Sequence, residues 1–282
     1  MKQESIDYNN TNEKYNGDFS TLNCLVMHHT YQECKTDNNL KDFVGATKAG
    51  QFIVFEKDQL NIPKDGPTTN IVVSKKRSFE AAKSYFFQKK SVAVLNFANN
   101  HSVGGSPFSA GAQEESLCRT STLFPCLEKE QKTYYEYHQK MYAQRLIGSD
   151  GNDDLIYSPQ VVVFKTDESA PRMMEKNDWY FVDVITCAAP VLYKKPADLN
   201  DYENNIILPR LRKVFEVAKK QNIDVLILGA WGCGAFHNPP ERIAKFFNTL
   251  CSEYHFDTIE FAIDASRKPC TNYDTFLKVF SE

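Results

Sequence analysis

Apolar residues follow two alternating patterns along this chain from about residue 68 onward. Runs that are apolar almost throughout predict buried strands at 69–74, 92–97, 160–164, 180–188, 224–228 and 259–264. Apolar residues spaced three or four apart predict helices at 78–89, 130–145, 204–220, 240–254 and 272–280, and a further helix starting near residue 113. Buried strands that alternate with helices indicate a sheet covered on both faces, so we predict one α/β domain.

The first 67 residues lack this alternation. Residues 1 to about 20 are rich in Asn, Asp, Tyr and Lys without a period, which is typical of a loose leader. Short structured pieces are predicted at 42–45 and 51–55, and a turn region at 63–67. We therefore predict that residues 1–67 form a partly ordered N-terminal extension that packs on a main domain of residues 68–282.

Two loops that follow strong strands have an unusual composition. The first, residues 96–107, contains Asn99 and the pair Gly104-Gly105, and the second, residues 229–236, has three glycines in six positions. Ligands of open α/β sheets bind at the carboxyl ends of strands, where glycine lets backbone amides approach an anion. The first loop fits a ligand site and a plain connection equally well. The second predicts an amide-lined anion cradle, with a structural glycine turn as the alternative.

Between these loops lies Gln113-Glu114-Glu115, at a predicted helix start. Adjacent helical residues point about 100° apart, so if Glu115 faces the cleft, we expect Glu114 to lie at its edge or to bind another part of the ligand. An acid pair at a helix start is by itself typical of surface charge. Its position between two glycine-rich loops favours a site instead.

These motifs together resemble the microbial-type poly(ADP-ribose) glycohydrolases of the macrodomain fold. The family signature is a glycine triplet, a spacer and Gln-Glu-Glu, and here Val103-Gly104-Gly105, residues 106–112 and residues 113–115 occupy those places. The similarity continues in order through Leu117-Cys118-Arg119, 156–159, 185–190, 229–236 and Asn238-Pro239-Pro240. It covers roughly residues 68–282.

The resemblance implies a macrodomain-like three-layer α/β/α fold with a mixed sheet. It implies hydrolysis of the ribose–ribose O-glycosidic bond of poly(ADP-ribose) to release ADP-ribose, without a metal or cofactor. Glu115 would be the general acid and base, and Glu114 would hold the adjoining ribose hydroxyl. The implied substrate-binding residues are Asn99, Gly104, Gly105, Gln113, Gly232, Cys233, Gly234, Ala235 and Phe236.

The sequence departs from the family pattern at several positions of the first loop. Val103 stands in the glycine triplet, after Ser102 where proline is usual, and Pro107 and Ser109 lie in the spacer. Val191 stands where Asn often follows Ala-Pro. A side chain at residue 103 would clash with a ribose if that position needed a positive φ. Two alternatives therefore stay open: removal of single ADP-ribose units from protein or nucleic acid, and non-catalytic reading of ADP-ribose.

The net charge and the cysteine content indicate which partners and which cellular compartment to expect. The formal net charge is −3, so no overall basic field attracts nucleic acid, and we expect no stable nucleic-acid binding. Eight cysteines have no zinc-ligand spacing, which indicates reduced thiols in the cytoplasm or nucleus. No apolar stretch reaches 18 residues, so we expect no membrane partner. We predict a monomer.

Overall fold

A computed structural model describes residues 18–148, 151–192, 203–266 and 269–281. Most of the predicted N-terminal leader lies outside these ranges. The α-helices are α1 Phe19–Thr36, α2 Asn38–Gly50, α3 Ser78–Phe87, α4 Gln113–Thr120, α5 Leu123–Leu127, α6 Glu136–Ala143, α7 Leu208–Lys220, α8 Pro240–Glu253 and α9 Thr271–Ser281. The strands are β1 Phe52–Val54, β2 Asn70–Ser74, β3 Val92–Ala98, β4 Leu155–Val163, β5 Tyr180–Ala188, β6 Val225–Leu228 and β7 Thr258–Ala262.

The strands form one mixed sheet in the order β1-β4-β5-β3-β6-β7-β2. The five strands from β5 to β2 are mutually parallel, whereas β4 is antiparallel to both β5 and β1. The carboxyl ends of β5, β3, β6, β7 and β2 therefore share one edge of the sheet. The start of β4 lies at this same edge, because β4 runs in the opposite direction.

Alternate side chains of the central strands enter two separate cores. In β3, Leu95 packs under α7 and α8, whereas Val94 packs under α3 and α4. In β6, Leu226 and Ile227 divide in the same way. Burial on both faces explains why these strands are apolar throughout. The predicted three-layer α/β/α fold with a mixed sheet is confirmed.

The N-terminal segment contains two long helices that the sequence analysis missed. The predicted pieces at 42–45 and 51–55 lie in α2 and across β1, and β1 pairs with β4 as an edge strand. Weak apolar periodicity hid α1 and α2, but acidic caps define their starts. Asp18 accepts from the Thr21 amide, and Asp37 accepts from the amides of Asn39 and Leu40.

Three predicted elements differ from the structure in form, and one of them is the helix predicted at 204–220, which begins with a π-helical segment, Glu203–Ile207, before α7. The helix predicted at 130–145 is wrong as one continuous α-helix: a π-helical segment, Gln131–Tyr135, precedes α6. This wider turn lets the adjacent Tyr134 and Tyr135 both face inward. Strand β4 begins five residues earlier than predicted, because a bulge between Ser158 and Val161 accommodates Pro159 inside the strand.

Within the described ranges, no helix has both the length and the apolar character needed to cross a membrane.

Candidate active site

The loop between β3 and α4 turns sharply at its two glycines. Gly104 has a φ of +61° and Gly105 a φ of +67°, a region that favours glycine. A Cβ at Gly104 would lie 2.8 Å from the Cys118 sulfur and 2.9 Å from the Phe124 ring. Both positions therefore require glycine. Val103 has no positive φ and packs against the core, so the strain considered for that position does not arise.

Both glutamate side chains converge on Gly105. A Cβ at this residue would lie 3.2 Å from Glu114 Oε2 and would also contact Glu115 Oε1. Glu114 is the more buried of the two, with 3% of its surface exposed against 8% for Glu115. Burial of Glu114 does not fit a place at the edge of the cleft, and the other expectation, contact with another part of the ligand, stays a prediction. The Cα–Cβ bonds diverge, but the flexible side chains bring the carboxyl groups together.

The Glu114 carboxyl is held by groups of the preceding strand and loop. Its Oε1 accepts a hydrogen bond from Asn96 Nδ2 at 3.1 Å, and its Oε2 accepts one from the Asn99 amide at 2.7 Å. Burial raises the pKa of Glu114 to about 8, and the neighbouring Glu115 charge adds to this, while both hydrogen bonds oppose it. At neutral pH this carboxyl is therefore mostly protonated in the unliganded protein.

The Glu115 carboxyl has one occupied and one unoccupied oxygen. Its Oε1 accepts a hydrogen bond from the Ser106 amide at 3.1 Å. Its Oε2 is buried and has no hydrogen-bond partner among the residues that the structure describes. This oxygen is consequently free to bond to a ligand.

Gln113 joins the helix to the sheet. Its Oε1 accepts from the Phe97 amide at 2.9 Å, and its Nε2 donates to the Leu95 carbonyl and to Ser78 Oγ. These bonds occupy both ends of the side-chain amide and fix the start of α4 beside β3. The structure thus gives Gln113 a positioning contact, while its predicted substrate contact stays a prediction.

Asn99 turns the loop that follows β3. Its Oδ1 accepts hydrogen bonds from the amides of His101 and Ser102, at 2.8 and 3.0 Å. Its own amide is the one that holds Glu114. Asn99 therefore links the shape of the loop to the position of the buried carboxyl.

The spacer before α4 is held by residues that the sequence analysis did not single out for the site. Arg119, one turn after Glu115, donates to the carbonyls of Pro107 and Ala110 at 2.9 and 2.7 Å. Asn23 of α1 donates to the carbonyls of Ser109 and Ala110. Burial lowers the pKa of Arg119 to about 10, and the Glu115 charge partly opposes this. The N-terminal helix thus fixes the loop whose Ser106 amide holds Glu115.

The loop between β6 and α8 presents unused backbone amides. Those of Gly232, Gly234, Ala235 and Phe236 donate no hydrogen bond to any residue in the described ranges. Gly232 has a φ of +71°, and a Cβ there would lie 2.6 Å from the Ala189 Cβ. A Cβ at Gly234 would meet nothing within 4 Å, so open space adjoins the loop there. Such a run of amides suits an anion.

The remaining residues of this loop anchor it. The Trp231 side chain is fully buried and donates from Nε1 to the Cys187 carbonyl at 2.9 Å. Cys233 Sγ contacts the Trp231 carbonyl at 3.5 Å, and the Phe236 carbonyl accepts from the Leu192 amide. Asn238 Nδ2 donates to the carbonyls of Pro190 and Gly232.

The sheet brings the two loops together. β3 pairs in parallel with β6, and Gly229 at the end of β6 lies so close to β3 that a Cβ there would be 3.0 Å from the Phe97 ring. The converging glutamates and the unused amides therefore lie at neighbouring strand ends. The arrangement can hold an anion at one loop and place a carboxyl oxygen at the other.

A separate cavity of about 600 Å³ lies beside α3. Its lining includes Arg77, Lys83, Asp167 and Asp264, and contains none of the predicted site residues. Among the described residues, no group of three or more His, Cys, Asp or Glu side chains is placed to hold a metal ion.

Comparison with known proteins identifies a family for this chain. The family model of the microbial-type PARG catalytic domain matches residues 19–166, a range that includes α1, α2 and the Gln-Glu-Glu motif. No curated protein matches the chain.

Solved structures of poly(ADP-ribose) glycohydrolases are similar to this chain along most of its length. The enzyme of Thermomonospora curvata is 26% identical, with a TM-score of 0.80, covering 92% of this chain and 99% of that one. The same enzyme bound to the inhibitor ADP-HPD is 25% identical, with a TM-score of 0.79 and coverages of 91% and 98%. The Deinococcus radiodurans enzyme in complex with ADP-ribose is 29% identical, with a TM-score of 0.73 and coverages of 84% and 96%.

Proposed function

The chain belongs to the microbial-type PARG catalytic-domain family, and we propose that it hydrolyses poly(ADP-ribose) to ADP-ribose with Glu115 as the general acid and base. The solved relatives named above are poly(ADP-ribose) glycohydrolases, and one structure of each enzyme has ADP-HPD or ADP-ribose bound. The cleaved bond joins the anomeric carbon of one ribose to a ribose oxygen of the next unit.

The observation that carries this proposal is the buried, unpaired Oε2 of Glu115. An unpaired buried polar atom costs free energy, and such exceptions are often explained by a function. The other oxygen, Oε1, lies against Gly105 and accepts from the Ser106 amide, so the orientation of the carboxyl group, and with it Oε2, is defined. A pure ADP-ribose reader has no need of a carboxyl held in this way, which favours hydrolysis over reading.

The chemical step needs one proton donor that later acts as an acceptor. Protonated Glu115 gives its proton to the bridging oxygen as the bond to the anomeric carbon breaks, and that oxygen keeps the bonding electron pair. An oxocarbenium-like ribose results, stabilised by nearby negative charge. Water then attacks the anomeric carbon, and its proton passes to the Glu115 carboxylate. One water is consumed for each ADP-ribose released.

The remaining site residues bind the terminal ADP-ribose unit. The four unused amides at Gly232, Gly234, Ala235 and Phe236 suit its diphosphate, and the open space at Gly234 admits a close approach. We assign Cys233 to the same loop contact and the Phe236 ring to packing on the ligand. Glu114, with a pKa of about 8, is a neutral acid near pH 7 that can donate to or accept from a ribose hydroxyl.

Labelled polymer tests this assignment directly. The purified protein should release ADP-ribose from poly(ADP-ribose), and Glu115→Gln should slow release by about 10³-fold, within the range for loss of a general acid. Calorimetry should show that Glu115→Gln still binds ADP-ribose. Absence of release by the unmodified protein at high concentration, or undiminished release by the variant, would overturn the proposal.

Removal of single ADP-ribose units is distinguished by the choice of substrate. Val103, Pro107 and Ser109 change the loop next to the leaving group. Faster cleavage of mono-modified protein or nucleic acid than of polymer would favour that activity. Tight ADP-ribose binding without cleavage of either substrate would favour a reader.

We also propose a reducing intracellular compartment and a monomeric protein. All eight cysteines are free thiols in the structure, and five of them are buried. This pattern is typical of proteins that are not stabilised by disulfides.

A further inference from the structure

An exposed aromatic ring lies against the outer side of the β3–α4 loop. The Tyr142 side chain, in the last turn of α6, is 52% exposed, and its ring centroid is 5.3 Å from that of His101 at an angle of 70°. The two residues belong to different elements, and His101 follows Asn99 by two positions. We call this pair of rings the His101–Tyr142 platform.

The platform is fixed to the β3–α4 loop, residues 99–112, which we call the catalytic loop. Gln139, one turn before Tyr142, donates from Nε2 to the His101 carbonyl at 2.6 Å. His101 is also held from its own loop, because its amide donates to Asn99 Oδ1. These bonds tie the His101 backbone and helix α6 to Asn99, whose amide holds Glu114.

Helix α6 is itself anchored through a buried histidine. His138 Nδ1 lies 2.7 Å from the Tyr134 carbonyl, and Nε2 lies 2.7 Å from Asn152 Oδ1 and 3.2 Å from the Asp154 carboxylate. These contacts tie α6 to the segment that leads into β4. Because the helix is anchored, only rotation of the Tyr142 side chain, and not motion of its backbone, is lost when a ligand stacks on the ring.

The sheet order places the platform across the catalytic loop from the anion cradle. β6, which carries the cradle, lies on one side of β3, and β5 and β4 lie on the other. The segment 151–154 leads into β4 at the same edge and contacts the catalytic loop, since a Cβ at Gly151 would lie 2.6 Å from Asn100 Nδ2. Helix α6 is bound to this segment, so Tyr142 lies on the β4 side.

We propose that the His101–Tyr142 platform is a leaving-group subsite, which stacks the adenine base of the ADP-ribose unit beyond the scissile bond. The proposal rests on the proposed function. With the terminal diphosphate on the β6 loop and the anomeric carbon at Glu115, the next unit continues toward the β4 side, where the platform lies. The polymer supplies an adenine in every unit.

The chemistry of the two rings suits a base. Aromatic side chains stack on nucleobases without sequence preference. Burial lowers the pKa of His101, and the nearby His138 lowers it further, so its ring is neutral at neutral pH. A neutral imidazole beside a phenol offers an apolar surface with polar edges, as an adenine requires.

The test compares ligands with one and two ADP-ribose units. In the Glu115→Gln background, the dimer should bind about fivefold more tightly than ADP-ribose, which is the low end for one stacked base. Adding Tyr142→Ala should remove this difference and leave the ADP-ribose affinity unchanged. Tyr142→Phe should retain it. In the unmodified background, Tyr142→Ala should raise KM for the dimer with little change in kcat.

The matched control is Tyr137→Ala. This tyrosine is 42% exposed on the same helix, but its ring contacts His138 rather than His101. Its removal should leave both affinities unchanged. The subsite is refuted if Tyr142→Ala leaves the tighter binding of the dimer intact. It is also refuted if the Glu115→Gln variant binds the dimer and ADP-ribose with equal affinity. Cleavage of the dimer by the Glu115→Gln variant would instead refute the role of Glu115. Chromatography after the titration shows whether the dimer is intact.

Discussion

Glu114 and Glu115 are chemically identical neighbours that the protein surrounds differently. Two hydrogen bonds hold Glu114, one to each carboxyl oxygen, whereas Glu115 keeps one oxygen unpaired. The first arrangement fixes a group that orients the substrate, and the second leaves an oxygen for the reacting bond. Their roles therefore depend on which backbone amides and side chains reach each carboxyl group.

The raised pKa of Glu114 predicts how stability changes with pH. Between its usual value of 4.5 and its folded value of about 8, the folded protein keeps a proton that the unfolded chain has lost. The free energy of unfolding therefore falls as pH rises through this window. Glu114→Gln removes this dependence. The free energy of unfolding of the variant, relative to that of the unmodified protein, should therefore rise by roughly 3 kcal/mol from pH 5 to pH 8.

Urea unfolding at both pH values measures this difference. Glu168→Gln, which changes an exposed carboxyl, is the matched control and should show no comparable gain. A pH-independent difference between Glu114→Gln and the unmodified protein would contradict the raised pKa.

At the residue scale, the sequence predicted the proposed reacting groups better than the groups that hydrogen-bond to them and hold them in place. Gln113-Glu114-Glu115 and the glycine loops form recognisable motifs. Asn96 carried a weaker signal, as a polar residue inside an apolar strand. The Ser106 amide carried none, because its role depends on a backbone group brought to Glu115 by the turn at Gly105.

At the element scale, α1 braces the catalytic loop. Asn23 donates to the Ser109 and Ala110 carbonyls, and the His28 ring lies 4.9 Å from that of Phe108. Ser106, whose amide holds Glu115, lies three to four residues before these two carbonyls in the same loop. Motion of α1 would therefore move the group that fixes Glu115.

Asn23→Ala tests this brace. It should lower kcat by about tenfold and the free energy of unfolding by about 1 to 2 kcal/mol, because it removes the part-buried hydrogen bonds to the Ser109 and Ala110 carbonyls. Tyr31→Phe, on the same helix, removes only a hydrogen bond to Glu128 and is the matched control. Equal activity of the two variants would show that α1 does not position the loop.

Element prediction succeeded where burial imposes a strong period. Strand β5 was predicted with its observed bounds, because it is buried in the middle of the sheet. Helices α1 and α2 carry polar residues among few buried ones, so their periodicity is weak. The π-helical segment follows from inward packing of both Tyr134 and Tyr135, which spacing alone does not reveal. The boundary after residue 67 stays a prediction, although β1 joins the common sheet.

At the scale of the whole molecule, the site depends on strand order. Residues 99–115 and 232–236 are far apart in sequence but follow the parallel neighbours β3 and β6. Sequence analysis could place each loop at a strand end, yet it could not give the order of the strands. That order decides which elements lie on either side of Glu115, and so where each part of a substrate can lie.

The central claim is that Glu115 Oε2 faces the reacting bond. A crystal structure of the unmodified protein with ADP-ribose measures this most directly. We predict that Oε2 lies within about 3.2 Å of the oxygen on the anomeric carbon, with the diphosphate on the amides of residues 234–236. A bound ribose whose anomeric carbon lies nearer to another titratable group, with Oε2 beyond hydrogen-bond reach, would contradict the account.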